Sequence, residues 1–163
     1  MHKILFQPQF KAVMTAHTRD ILQFLLNNGV NFNILCDMKK ASFSPQLPEH
    51  ITSTFNDITL FVLAGYTFES IELHDSGMSF EAGFGSENIG SFVNIKYEGI
   101  VQILLHDNEL LREILLFTNV SHPCFYNLSK QELEEIESIQ KEGLEQSNLA
   151  FASSPENGRF FKK

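Results

Sequence analysis

Short strand patterns follow one another between residues 30 and 95 of this 163-residue chain, and each ends in turn residues. The clearest spans Met78–Phe84, where apolar side chains alternate with small or polar ones. Such alternation is the pattern of a strand with one face in a core. Further strands are predicted at Val30–Asp37, Ile58–Leu63, Ser70–Leu73 and Ser91–Ile95, and prolines make Ala41–Ser53 an irregular or edge segment. Short strands with tight turns predict a small curved barrel or sandwich.

Helical patterns flank this β-rich region. Before it, Thr18–Asn28 carries an apolar stripe, with Thr15 or Thr18 as its cap and Gly29 as its stop. After it, the apolar spacing from Lys96 onward predicts helical structure with a break near Asp107. A capping box at Ser129–Glu132 then begins an acidic helix. The predicted fold class is mainly β with flanking helices.

The length of the chain allows one domain with a sizeable core. We predict a barrel domain with its N-terminal helix over residues 1–118, and an acidic helical extension or linker over residues 119–146. Residues 147–163 contain a Ser-Ser-Pro-Glu-Asn-Gly run and are predicted to be a flexible tail.

The net charge of −8 is unevenly distributed. Residues 1–106 carry ten acids and six bases, residues 107–145 carry nine acids and three bases, and the remaining tail carries one acid and three bases. An acidic body makes nucleic acid an improbable partner, because binding to phosphates depends on basic patches. A short basic end on an acidic chain instead suggests a motif that another protein binds.

No apolar run is long enough for a membrane span, and Gln7-Pro8-Gln9 interrupts the apolar N-terminus. We therefore expect a cytoplasmic protein without a membrane partner. Cys36 lies in an apolar run and is interpreted as a buried thiol, and no structural disulfide is expected.

The chemistry-bearing residues form no catalytic pattern. His122-Pro123-Cys124 is the nearest approach to a metal pair but lacks partners at ligand spacing, and the glycines at 83, 85 and 90 lack the Lys-Ser/Thr of a phosphate-binding loop. The glutamates of Glu132–Glu137 are interpreted as a solvated helix face. We predict no enzyme activity, no cofactor and no metal site.

The order of these patterns resembles the SspB family, the stringent starvation protein B family. The run Phe24–Asp37 is similar to that family's passage from a W-L-L-D-N helix end into its first strand. Ile58–Ala64 is similar to its central strand, and Glu72-Leu73 followed by Phe80–Gly85 resembles its E-L…F-N-A-R-F-G motif. Gly83 stands where the family commonly has Arg. The resemblance extends from Arg19 to Asp107, and Gly158–Lys163 is similar to the short R-V-V-K-like end of those proteins.

This resemblance implies an adaptor for proteolysis with an Sm-like or SH3-like small barrel after its N-terminal helix. Such an adaptor binds the ssrA tag of stalled-ribosome products and tethers tagged proteins to the ClpX unfoldase of ClpXP. The resemblance also implies a homodimer that pairs through the N-terminal helix. The peptide-binding residues that the resemblance implies are Leu63, Ala64, Gly65, Tyr66, Phe80, Ala82, Gly83 and Phe84. The residues implied for docking on the unfoldase are Arg159, Phe160, Phe161 and Lys162. The residues implied for the dimer interface are Ile21, Phe24 and Leu25.

Two other readings of the residues stay open. One is an Sm-like or OB-like nucleic-acid module, in which Phe61, Phe80 and Phe84 would be platforms for base stacking. The other is a different peptide- or protein-binding module, because Ala82 and Gly83 leave room for another backbone to approach.

Overall fold

The computed structural model describes residues 2–153, with side chains described as far as residue 143. The chain is mainly β, with one helix before the strands and one after them. The strands are β1 Phe32–Asp37, β2 Ala41–Ser44, β3 Ile58–Leu63, β4 Glu72–Leu73, β5 Gly77–Phe84, β6 Ile89–Lys96, β7 Ile100–Asp107 and β8 Arg112–Thr118. The α-helices are α1 Pro8–Asn27, α2 Glu49–Thr52, α3 Gly65–Glu69 and α4 Lys130–Ser153, with 3-10 turns at Lys3–Phe6, Met38–Lys40, Tyr97–Gly99 and Pro123–Phe125.

The strands form two separate antiparallel sheets, in the orders β3-β1-β7-β8 and β2-β6-β5-β4. The sheets are not closed into a barrel, so of the two predicted forms, a small curved barrel or a sandwich, the barrel is wrong. Residues of both sheets contribute to one shared core. Ile34 and Cys36 from the first sheet are completely buried, as is Val93 from the second, and Leu22 and Leu25 of α1 join them. Alternation along each strand places these apolar residues inside.

The region after Lys96 differs most from its prediction. It forms the hairpin β7–β8 instead of a helix, and Ile103 pairs with Phe117 in its ladder. The turn between the strands is held by the Asp107 carboxylate, which accepts hydrogen bonds from the backbone N–H groups of Glu109 and Leu110 at 2.9 and 3.1 Å. Nearly continuous apolar runs fit both periods, so their spacing does not distinguish a helix from a strand.

Helix α1 begins ten residues earlier than predicted. Pro8 is its first residue, a position where proline's missing N–H costs nothing. Thr15 and Thr18, the two residues predicted as its possible cap, both lie inside the helix. Thr18 is fully buried, and its hydroxyl donates to the Met14 carbonyl at 2.8 Å. Gly29 follows the helix with a φ of 63°, as predicted for its stop.

The chain divides into two compact units, residues 14–122 and residues 1–13 with 123–163. The larger unit holds all eight strands. In the smaller unit, the ring of Phe6 meets that of Tyr126 edge-on, with 5.5 Å between ring centres. The capping box of α4 is confirmed, because the Glu132 N–H donates to Ser129 Oγ at 3.2 Å and the Ser129 N–H donates to the Glu132 carboxylate at 3.1 Å. The helix runs to Ser153, past the predicted start of the tail at residue 147.

The two cysteines lie in contrasting environments, and the prediction of a buried thiol at Cys36 is confirmed. Burial raises the pKa of the Cys36 thiol well above its usual value, and the neighbouring Asp37 carboxylate raises it further. Because the thiolate is the reactive form, we expect iodoacetamide to modify exposed Cys124 in the native protein and to spare Cys36 until the chain is unfolded. Intact-mass measurement checks this. Two equally fast additions to the native chain would contradict it.

Candidate functional site

The two segments predicted to hold a peptide lie side by side in the larger unit. Leu63 ends β3 completely buried, Ala64 is extended, and Gly65 begins α3 with a φ of 58°, a conformation that favours glycine. This turn presents Tyr66, whose side chain is 66% exposed. Helix α3 packs on β5, which carries the second segment. The residues 63–66 and 80–84 therefore border one region.

A small polar network joins α3 to β5. The Tyr66 hydroxyl donates to the Glu81 carboxylate at 2.6 Å, and this hydrogen bond raises the pKa of Tyr66. The Ser70 hydroxyl accepts from the Glu81 N–H at 2.8 Å and lies 3.4 Å from the Glu81 carbonyl oxygen. Glu81 thus has both its side chain and its backbone engaged by α3 and the residue that follows it.

Beyond this network, β5 has an open backbone edge. On the side away from β6, β4 pairs only with Ser79 and Met78 among the described residues. The N–H and C=O of one residue in an antiparallel strand point to the same side, and those of the residue two positions on point there too. Since the Glu81 backbone faces Ser70, the Gly83 backbone faces the same side, where no described strand pairs with it. This open edge of β5 lies next to the turn that presents Tyr66 at the start of α3.

Side chains from both sheets form an aromatic cluster beneath this edge. Phe61 of β3 lies 5.5 Å from Phe80 and 6.4 Å from Phe84, measured between ring centres. Phe55 also contacts Phe84, at 5.9 Å, and stacks on Phe43 at 5.8 Å. The sequence interpretation missed Phe55, since it lies in an irregular stretch without a strand pattern. The cluster fixes the position of β3 against that of β5.

Ala82 and Gly83 point to opposite faces of the sheet, since side chains alternate along β5. Ala82 lies on the inner face with Phe80 and Phe84, packed against the core. Gly83 lies on the outer face, where a Cβ would collide with Oδ1 of Asn88. The space above Gly83 is therefore occupied by the side chain of Asn88. Asn88 itself lies in a turn and has a backbone φ of 51°.

The three helix residues predicted for a dimer interface border an apolar groove of about 360 Å³. Phe24 is 65% exposed, Ile21 is half-buried, and Leu25 is buried in the core. The rest of the lining comes from Asp20 of α1, Val30, Leu105 of β7 and Leu116 of β8. The sequence interpretation missed these two leucines because it placed them in a helix. Leu116 is 42% exposed, and its neighbour Leu115, which does not line the groove, is 54% exposed.

The predicted unfoldase-docking residues Arg159, Phe160, Phe161 and Lys162 lie outside the described residues. Within residues 2–153, no helix combines the length and the apolar character that a membrane crossing requires.

Comparison with models of known protein families finds no match to this chain, and comparison with curated proteins finds none either.

Proposed function

We propose that this chain is a cytoplasmic proteolysis adaptor of the SspB type, which binds ssrA-type degradation tags and tethers tagged proteins to the ClpX unfoldase. The observation that carries the proposal is the open edge of β5 at Gly83, beside the exposed turn at Ala64–Tyr66. These are the segments to which the family resemblance assigns tag binding. The closed Sm-like barrel is not part of the proposal, since the eight strands form two sheets.

An open strand edge can bind a peptide through backbone groups, while contacts of the peptide's side chains supply the specificity. An extended peptide adds as a further strand, and its backbone hydrogen bonds to the edge provide affinity. Side chains that alternate along the peptide then meet the neighbouring surface, here the exposed side chain of Tyr66. An adaptor needs this mode because a tag is an unstructured end of another protein.

The aromatic cluster favours the adaptor over a nucleic-acid module. Phe61 and Phe80, which such a module would use for stacking, are only 6% and 1% exposed. Their rings are engaged with each other and with Phe84. Base stacking requires an accessible ring face.

The experiment that tests tag binding is fluorescence anisotropy with a labelled ssrA peptide and the full chain. We expect saturable binding, and competition by unlabelled ssrA peptide but not by a scrambled peptide of the same composition. A chain that binds neither peptide, or both equally, contradicts the proposal. Equal binding of both would favour a general peptide-binding module instead.

We further propose a two-fold homodimer that packs through the groove beside Phe24. An exposed aromatic side chain next to an apolar groove is self-complementary, because a two-fold axis brings each ring to the partner's groove. Phe24→Glu should weaken dimerisation by about 2 kcal/mol or more, roughly thirtyfold in the dissociation constant.

Sedimentation equilibrium measures this constant. Phe92→Glu is the matched control, since Phe92 is 52% exposed on the other sheet and does not line the groove. A wild-type chain that sediments only as the 18.6 kDa monomer contradicts the dimer. So does an equal effect of both substitutions.

A further inference from the structure

A second groove differs from the rest of this acidic chain because lysines surround it. It has a volume of about 400 Å³ and lies in the larger unit, at the end of the second sheet where β6 finishes and β5 begins. Its polar lining includes Lys39, Lys40, Lys96, Ser42, Ser76 and Asn94. Three of the chain's twelve lysines and arginines therefore border one groove on a protein of net charge −8.

The local fold holds two of these lysines in place. Lys39 and Lys40 belong to the 3-10 turn Met38–Lys40, which Asp37 caps by accepting a hydrogen bond from the Lys39 N–H at 3.0 Å. The stem of Lys40 lies against Gly99, where a Cβ would collide with that of Lys40. The ammonium of Lys40 pairs with Glu98 at 3.2 Å.

Gly77 of β5 and Ile95 of β6 also line the groove. A Cβ at Gly77 would collide with the carbonyl oxygen of Ile95, so this position accepts only glycine without a shift of backbone. Ser42 and Asn94 face each other in the β2–β6 ladder. Ser42 and Asn94 thus add a hydroxyl and an amide to the groove that Lys39, Lys40 and Lys96 also line.

The charges in this groove are only partly compensated. Among the residues that the structure describes, no carboxylate lines the groove. Glu98 neutralises Lys40, whereas Lys39 and Lys96 form no ion pair with any described residue. Two uncompensated positive charges therefore face one concave surface that also offers neutral hydrogen-bond donors.

We propose that this groove binds the dianionic phosphate group of a small phosphorylated molecule. Lysines act on phosphate as separate point charges, and the oxygens of a tetrahedral group also accept hydrogen bonds from hydroxyls and amides. A carboxylate is matched best by the planar fork of arginine, which is absent from the described lining. The volume lies within the range of small-molecule pockets. The chain's net negative charge disfavours a long polyanion such as nucleic acid.

The proposal does not depend on tag binding, because the groove and the open edge at Gly83 lie at opposite ends of β5. The test is a titration of the full ¹⁵N-labelled chain with inorganic phosphate and with glycerol phosphate, followed by NMR. We expect saturable shifts of the backbone amides of Ser42, Ser76 and Lys96. Replacement of both unpaired lysines, Lys39→Gln with Lys96→Gln, should weaken binding at least about tenfold, because charge-assisted hydrogen bonds are lost.

The matched control is Lys130→Gln with Lys141→Gln, which removes the same charge from exposed positions of α4. This variant should bind phosphate as the wild type does. The proposal is overturned if neither phosphate compound gives saturable shifts, or if both double variants lose affinity equally. Tighter binding of a triglutamate peptide than of either phosphate compound would also overturn it and would assign the groove to an acidic protein segment.

Discussion

Gly83→Pro should weaken binding of the ssrA peptide by at least about tenfold, because it removes the one backbone donor of Gly83 that faces the open edge of β5. Proline is tolerated on an edge strand where its missing N–H points away from the ladder. Gly83 meets this condition, since its N–H points away from β6. The substitution should therefore affect an added peptide strand more than the fold.

The hairpin offers a matched control in Gly90, the direct partner of Gly83 in the ladder. The N–H of Gly90 also points out of the hairpin, but on the side opposite to α3. A Cβ at Gly83 would collide with Asn88, so all chains in this comparison carry Asn88→Gly. Glycine adopts the positive φ of this residue without strain.

Fluorescence anisotropy then compares the affinity of three chains for the ssrA peptide. The first carries Asn88→Gly alone, the second adds Gly83→Pro, and the third adds Gly90→Pro instead. We expect only the Gly83→Pro chain to lose affinity, with thermal unfolding showing that all three are folded. Unchanged affinity in a folded Gly83→Pro chain would place the peptide elsewhere. Equal losses in both proline chains would indicate distortion of the hairpin instead of a lost edge contact.

Deletion of Gly158–Lys163 should abolish binding to ClpX while leaving tag affinity unchanged. The deleted residues include the motif that resembles the family's docking end, in which Phe160 and Phe161 would supply apolar contact. Arg159 and Lys162 would fix the register against acidic or carbonyl groups of the partner. The residues proposed for tag capture and those proposed for unfoldase docking belong to separate parts of the sequence, so loss of one proposed function should not affect the other.

The measurement is surface plasmon resonance on immobilised ClpX, with anisotropy of the tag peptide in parallel. Phe160→Ala with Phe161→Ala should reproduce most of the loss at unchanged charge. Arg159 and Lys162 are retained in this variant, so it separates apolar contact from general attraction of a basic end to an acidic partner. Retained ClpX binding by the truncated chain would show that these six residues do not dock.

Apart from β2, which lies in the segment Ala41–Ser53 predicted only as irregular or edge, the strands up to Lys96 could be predicted because each has a short pattern bounded by turn residues. Alternation in Met78–Phe84 gave β5 within one residue, and the apolar run Ile58–Leu63 gave β3 with the same bounds. The flanking helix α4 could be located by its capping box. In each case a local signal determines the element, so no knowledge of the rest of the chain is needed.

The hairpin β7–β8 could not be predicted from local spacing. Apolar residues that recur at Val101, Leu104 and Leu105 satisfy a helical period, and only pairing with β1 and β8 makes them strand residues. The closed barrel was wrong for a related reason, because strand order depends on contacts that are distant in sequence.

The contacts around the candidate site could not be predicted for the same reason, because they join residues that are distant in sequence. Residues 63–66 and 80–84 were named only from the family resemblance, and the Ser70 and Glu81 contacts that define the open edge arise only from packing of α3 on β5. The sequence also gave no sign that Asn88 covers Gly83. The lysine groove joins residues 39, 40 and 96, which no sequence pattern connects.

Degradation of an ssrA-tagged substrate by ClpXP, at a substrate concentration far below KM, tests the adaptor proposal most directly. A tether raises the local concentration of substrate at the unfoldase, and its benefit is largest where encounters are rare. We predict that the full chain accelerates degradation of the tagged substrate and leaves the same protein without a tag unaffected. An unchanged or slower rate for the tagged substrate would contradict the proposal.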